Sequence, residues 1–224
     1  MRISLLVFVF CLILPSCDTI DFSDQPQGVI EYEVTYLSNR SSMPTNLLPK
    51  KVTLKYRSHK SITTIEGFMG MFSMSNICDF RKNTNTMILK VMDKKFYYPG
   101  EKYEPPFFFD GLKNVSISFT DKTKILAGLP CKNSIISFPN SKRTAFNVYY
   151  TDQISIKNAN KSNPFNSING VLMQFNININ NIEMQLIANK YKHENVSNDI
   201  FSLPKGYKKV SREKISGILS RLLE

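Results

Sequence analysis

The chain has 224 residues, 42% of them hydrophobic and 12% aromatic, and a formal charge of +11 from 29 Lys and Arg against 18 Asp and Glu. This composition is too apolar for a disordered chain, and four Cys in such a length exclude a disulfide-dense miniprotein. Two His and no Trp leave little material for histidine-based catalysis or a metal site, while the basic excess turns attention to anionic surfaces. One domain is expected, since a large all-β fold of this length stays undivided.

Met1-Arg2 is a short positive segment, and Ile3 to Leu14 is an apolar run broken only by Ser4 and Cys11. The run falls short of the ~20 residues a membrane-spanning helix needs, and it reads as the core of a signal peptide over residues 1–16. It ends in Leu14-Pro15-Ser16-Cys17. An aliphatic residue, small residues and a Cys resemble the bacterial lipobox, from which Pro15 departs. In lipobox processing the Cys becomes a diacylglyceryl-modified N-terminus, so Cys17 is the expected lipid anchor. The alternative is an ordinary secretory signal with an incidental Cys. Two or more acyl chains hold a protein on a membrane. The expected location is therefore the outer membrane, facing the periplasm or the cell surface. Residues 17–27 carry Asp18, Asp21 and Asp24 with no basic residue before Arg40, which is the pattern of an acidic tether.

From residue 28 the dominant period is two. Ile30, Tyr32, Val34 and Tyr36 alternate with polar residues, as do Val52, Leu54 and Tyr56, then Val115, Ile117 and Phe119. Phe146, Val148 and Tyr150 follow, then Val171 to Ile179 and Ile182 to Ala188. The alternation predicts a mainly β domain over 28–224, built on a single antiparallel sheet with one wet face and one face on a core. Tyr98 to Pro106 reads as a turn-rich connector, and the Asn-rich stretch Lys157 to Asn169 as an irregular excursion. A terminal helix is predicted over 212–223. Ser211 is its cap, and Ile215, Ile218, Leu219 and Leu222 form its apolar stripe.

A set of ordered motifs then stands out: Thr123-Lys-Ile-Leu-Ala-Gly-Leu-Pro-Cys-Lys132, Val148-Tyr-Tyr-Thr151, Asn169-Gly-Val-Leu-Met173 and Leu203-Pro-Lys-Gly-Tyr-Lys208. Together with the Gly28–Tyr36 and Leu48–Tyr56 strands, they resemble a family of uncharacterised lipoproteins from Bacteroidetes-type bacteria, over residues 28–210. That family is similar in architecture to periplasmic lipoprotein carriers. The resemblance implies a strongly curved sheet, an open half-barrel over an apolar hollow. It brings no catalytic residue with it.

Candidate chemistry is sparse. Cys78 and Cys131 are either a disulfide, closing a loop of about fifty residues and stabilising by ~4 kcal/mol, or two unpaired core thiols. A Cys nucleophile would need a base, and His59 and His193 lie among lysines at strand edges. No paired Cys or His spacing suggests a metal, and no phosphate or dinucleotide loop is present. Asp110 and Asp121 lie nearest an aromatic cluster without forming an assignable acid pair. With no catalytic motif, neither enzyme activity nor a cofactor is expected, and the dispersed lysines do not suggest nucleic-acid binding. The Met/Phe run after Gly67 is the candidate apolar pocket, with Phe68, Met69, Met71, Phe72 and Met74 on the concave face and Phe107, Phe108 and Phe109 across its mouth. Two functional readings result. One is an envelope lipoprotein that binds a lipid, another apolar moiety or a hydrophobic partner in a curved sheet. The other is an accessory subunit docking on an outer-membrane complex.

Overall fold

The computed structural model describes residues 25–67, 70–139 and 141–223. The segment expected to be a signal peptide, Cys17 and the expected tether as far as Asp24 lie outside the described residues, as do Phe68 and Met69. Twelve strands follow: β1 (Gln27–Asn39), β2 (Lys51–Arg57), β3 (Lys60–Gly67), β4 (Phe72–Asp79), β5 (Thr84–Val91), β6 (Lys94–Pro99), β7 (Ser116–Leu126), β8 (Leu129–Ser137), β9 (Phe146–Thr151), β10 (Val171–Ile179), β11 (Ile182–Lys192) and β12 (Lys208–Lys209). Helix α1 (Arg212–Leu223) closes the chain, over the residues the sequence predicts. Ser211 caps it, its Oγ accepting from the Lys214 amide at 3.3 Å.

All strands belong to one open sheet, in the order β12-β6-β5-β4-β3-β2-β1-β11-β10-β9-β8-β7. Two meanders, β1 to β6 and β7 to β11, are therefore zipped together by the β1–β11 ladder. Tight turns shape them. Ala127 and Gly128 between β7 and β8 both have positive φ, 49° and 80°, which gives the hairpin the twist its flanking strands require. The fold is mainly β with a terminal helix, as expected, but the sheet is mixed: β12 pairs parallel to β6. The reason lies in the route of the chain. β11 lies mid-sheet and β12 at the edge, so residues 193–207 travel behind the sheet and arrive in the parallel sense.

That crossing covers the convex face. Val196 and Phe201 pack there on Val29, Ile77 and Ile88, with Ile62 alongside, as a small separate core. The main core lies on the concave face, from Ile30 and Tyr32 on β1 through Met173, Phe175 and Ile177 on β10 to Ile215 and Leu219 on α1. Between the meanders, β6 and β7 stand at opposite sides of the sheet yet are consecutive in sequence. Ten strand spacings of ~4.8 Å separate them along the sheet. The intervening residues 100–115 would span at most ~55 Å if fully extended, and they include turns and a 3-10 turn at Phe107–Phe109. The connector reaches only because the sheet curls, and it must then cross the hollow. Ile215 on α1 is fully buried in the main core. Ile215→Ala should lower stability by about 3 kcal/mol in urea unfolding, with little change in the slope of the transition.

Candidate functional site

The concave faces of β2 to β5 line up in three cross-strand rows. Val52, Ile65, Met74 and Leu89 form an apolar row; Leu54, Thr63, Asn76 and Met87 a mixed one; Tyr56, Ser61, Cys78 and Asn85 a polar one. Polarity thus rises steadily along the strands. Here the usual pattern is reversed, because Ile62, Ile77 and Ile88 point outward to the segment that crosses behind the sheet, leaving hydroxyls, amides and a thiol inside.

Two loops roof these rows and leave a cavity of about 100 Å³. Its apolar walls include Val52, Leu54, Ile65, Phe108, Phe109 and Phe175, and its polar end is made by Ser61, Thr63, Asn76, Cys78 and Asn85. The first roof is the β6–β7 connector. Glu104 holds it: its carboxylate meets Arg212 at 2.6 Å and accepts from Tyr98 Oη at 2.9 Å and the Glu101 amide at 2.8 Å. Its carbonyl accepts from Asn85 Nδ2 at 2.7 Å. Arg212 also pairs with Asp110 and lies 4.4 Å from the centre of the Phe107 ring. Burial raises the Asp110 carboxyl above its ordinary pKa against the pull of Arg212. Asp110 is thus engaged in a structural ion pair, and Asp121 is exposed on β7, so the two do not form an acid pair.

The second roof is the excursion 152–170, which the Asn residues organise. Buried Asn160 donates through Nδ2 to the carbonyls of Ile168 and Gly170 at 2.9 and 2.8 Å, and its Oδ1 accepts from Asn163 Nδ2 at 3.0 Å. Asn163 Oδ1 in turn accepts from the Phe165 amide at 2.8 Å. Those bonds satisfy a backbone that has no ladder, and they seat Phe165, fully buried, edge-on against Phe109.

Of the expected pocket residues, Phe108 and Phe109 line the cavity, and Phe107 is buried beside them under Arg212. None of the described residues of the Met/Phe run lines it. Met71 is 48% exposed at the β3–β4 turn, Met74 is fully buried core, and Phe72 borders a separate apolar gap of about 40 Å³ beneath α1. Phe72 sits where the helix fills the hollow, whereas the roofed space lies further along the strands. Polar residues at inward positions, such as Ser61, Thr63 and Asn76, are the sequence signal for the roofed cavity, but a reading that equates inward with apolar passes over them.

Cys78 and Cys131 are free. They stand on β4 and β8, with β3, β2, β1, β11, β10 and β9 between them in the sheet, so the disulfide alternative is corrected to two separate thiols. Cys78 faces the cavity, where its Sγ accepts from Asn76 Nδ2 at 3.0 Å. Burial pushes its thiol up to about 12, and burial raises Cys131 as well. Neither has the lowered pKa of a nucleophile. Among the described residues no cluster of His, Cys, Asp and Glu could hold a metal ion, and no helix is long and apolar enough to cross a membrane.

No family model and no curated protein matches the chain. Among solved structures, PNGF-II resembles it in two crystal forms, each with a TM-score of 0.54, at 12% and 11% identity. The match covers 87% of this chain and 32% and 33% of the PNGF-II chain, so this protein spans about a third of that one. The likeness is one of fold.

The thiol assignment is open to a direct check. Peptide mapping after alkylation in denaturant without reductant should find both Cys78 and Cys131 modified. In the folded chain at pH 8, both should react at least tenfold more slowly than a model thiol, since little thiolate forms at a raised pKa and the side chains are sheltered.

Proposed function

We propose that the chain is an envelope lipoprotein, anchored through Cys17, whose curved sheet acts as a non-enzymatic binding module for a small, largely apolar group. The observation that carries this reading is the roofed cavity. It is concave, mostly apolar and fitted with a few convergent polar groups, which is the general character of a ligand site. Its size bears on the ligand. At about 100 Å³ it lies below the ~300–1,000 Å³ of pockets that enclose drug-sized molecules. It is closer to the ~150 Å³ cavity that accepts benzene. A single ring or a short branched chain suits it, either free or as the tip of a larger partner; a whole acyl chain does not. The membrane is a partner through the N-terminal acyl chains. The dispersed lysines favour anionic headgroups over nucleic acid.

A second reading, an accessory subunit on an outer-membrane complex, draws support from β7. Its eleven residues form an exposed sheet edge on which Phe119 and Ile125 are 56% and 66% exposed. Such an edge can receive a strand from a partner.

Native mass spectrometry of the full-length chain from its own envelope separates the two readings. A binding module should carry a bound species of low mass that leaves on unfolding; an accessory should arrive with a stoichiometric protein. Metabolic fatty-acid labelling should mark the wild-type chain and drop to background in Cys17→Ser. Labelling equal to wild type would overturn the anchor.

A further inference from the structure

Resting on the anchor in that reading, we propose that a second contact orients the domain on its membrane. One corner of the sheet docks on an anionic bilayer, with Met71 and Met92 entering the interface and the lysines around them meeting the headgroups. These lysines are dispersed in the sequence, but the fold gathers five of them. Lys94 opens β6, and Lys90 stands directly across from Lys95 on the neighbouring strand. Lys208 and Lys209 of β12 lie beside Phe96 and Tyr97 on the other side of β6. Like charges placed opposite one another are unfavourable in a sheet. Among the described residues, no carboxylate lies within ion-pair distance of any of the five. Lys90 donates to the Gly70 carbonyl at 3.5 Å, and Lys95 lies 6.0 Å from the centre of the Tyr207 ring. The carboxylates at this end of β3 to β6 are Glu66 and Asp93, both exposed. The corner therefore keeps a positive excess.

Apolar side chains sit in the middle of this charge. Two turns cap the corner, joined by a hydrogen bond from the Met92 amide to the Met71 carbonyl at 2.6 Å. Met92 is 66% exposed and Met71 48%. An acidic protein would be met by the lysines alone. Flexible apolar tips within a basic rim suit a surface with charge outside and hydrocarbon beneath. Each lysine close to such headgroups raises the affinity about fivefold. The anchor can reach the same leaflet. Gln27, where β1 begins, pairs with Arg57 at the other end of the strands. With the two turns on the bilayer, Gln27 stands about one eight-residue strand above it, ~26 Å. Residues 17–26 span up to ~35 Å.

The test is a footprint. The chain purified from its own envelope is floated with vesicles of phosphatidylcholine, alone or with one lipid in three replaced by phosphatidylglycerol. Its lysines are acetylated and its methionines oxidised before peptide mapping. On the anionic vesicles Lys94, Lys95, Lys208 and Lys209 should react about fivefold more slowly than on the neutral ones, and Met71 and Met92 should oxidise more slowly in step. Lys82, at the far end of the strands, and Lys122 on β7 should not change, and high salt should restore the reactivity of the corner. Lys95→Glu should weaken the protection of Met92 several-fold. It should leave the melting temperature no lower, since it turns a like-charge pair across β5 and β6 into an opposite one. Equal footprints on the two vesicle types would overturn the docking surface while leaving the anchor intact. Failure to float with neutral vesicles would overturn the anchor, and the anionic vesicles would still report on the corner. Protection of the same residues by soluble polyglutamate, Met92 included, would overturn the bilayer as partner in favour of an acidic protein.

Discussion

The structure depends on one geometric constraint: consecutive strands β6 and β7 stand far apart across a single open sheet. About sixteen residues must join them, and no flat sheet of this width would let a connector that also makes turns reach. Curvature is thus built into the topology. The same connector, once it spans the hollow, delivers Phe107, Phe108 and Phe109 to the concave side, where they become roof and wall. Arg212 at the start of the terminal helix then ties that roof down through Glu104 and Asp110, so the last element of the chain stabilises a loop a hundred residues earlier. Closure, core and cavity follow from where one connector begins and ends.

A second crossing makes the cavity polar. Residues 193–207 pass behind the first meander and shield its convex face from water, so isoleucines can face outward on β3, β4 and β5 without exposing an apolar patch. That frees the inward positions for Ser61, Thr63, Asn76, Cys78 and Asn85. A half-open sheet with a wet back would have required the opposite arrangement. The graded interior is thus a product of covering both faces, and the roof of Asn-bonded loop completes it.

This also explains which parts were legible in the sequence. β1, β2, β9, β10 and β11, and β7 as far as Phe119, show alternation because apolar and polar residues occupy opposite faces there, and the terminal helix shows its cap and stripe. β3, β4, β5 and β6 do not. In Phe72-Ser-Met-Ser-Asn-Ile-Cys-Asp79 the apolar residues change faces midway, from Phe72 and Met74 inside to Ile77 outside, and a period-two template sees only a mixed run. Of the Met/Phe cluster around Gly70, composition could not place the described members: Met71 lies at a turn and Met74 in the packed core. The β6–β7 connector was recognisable by its prolines, and its triple Phe, expected across the mouth of a Met/Phe pocket, lies at the roof and wall of the other cavity. The Asn-rich excursion was recognisable as irregular, but the network through which Asn160 and Asn163 hold it could not be read from spacing alone. The mixed sense of the sheet was equally hidden, since two lysines at β12 carry no strand signature.

The central ladder bears on how the chain finds its native state. β1 has β2 on one side and β11 on the other, and its pairs with β11 run from Val29–Lys192 to Asn39–Ile182. Each meander can assemble from neighbours in sequence, but β1 completes its second ladder only after nearly the whole chain has been made. Loop closure over such a separation slows the step that joins the two halves. Until then β1 and β11 each present an unpaired edge. A chain emerging from its N-terminus would thus hold its longest strand half-bonded for most of its synthesis, and the rate-limiting event in folding is expected to be the docking of two preformed hairpin arrays rather than the formation of either.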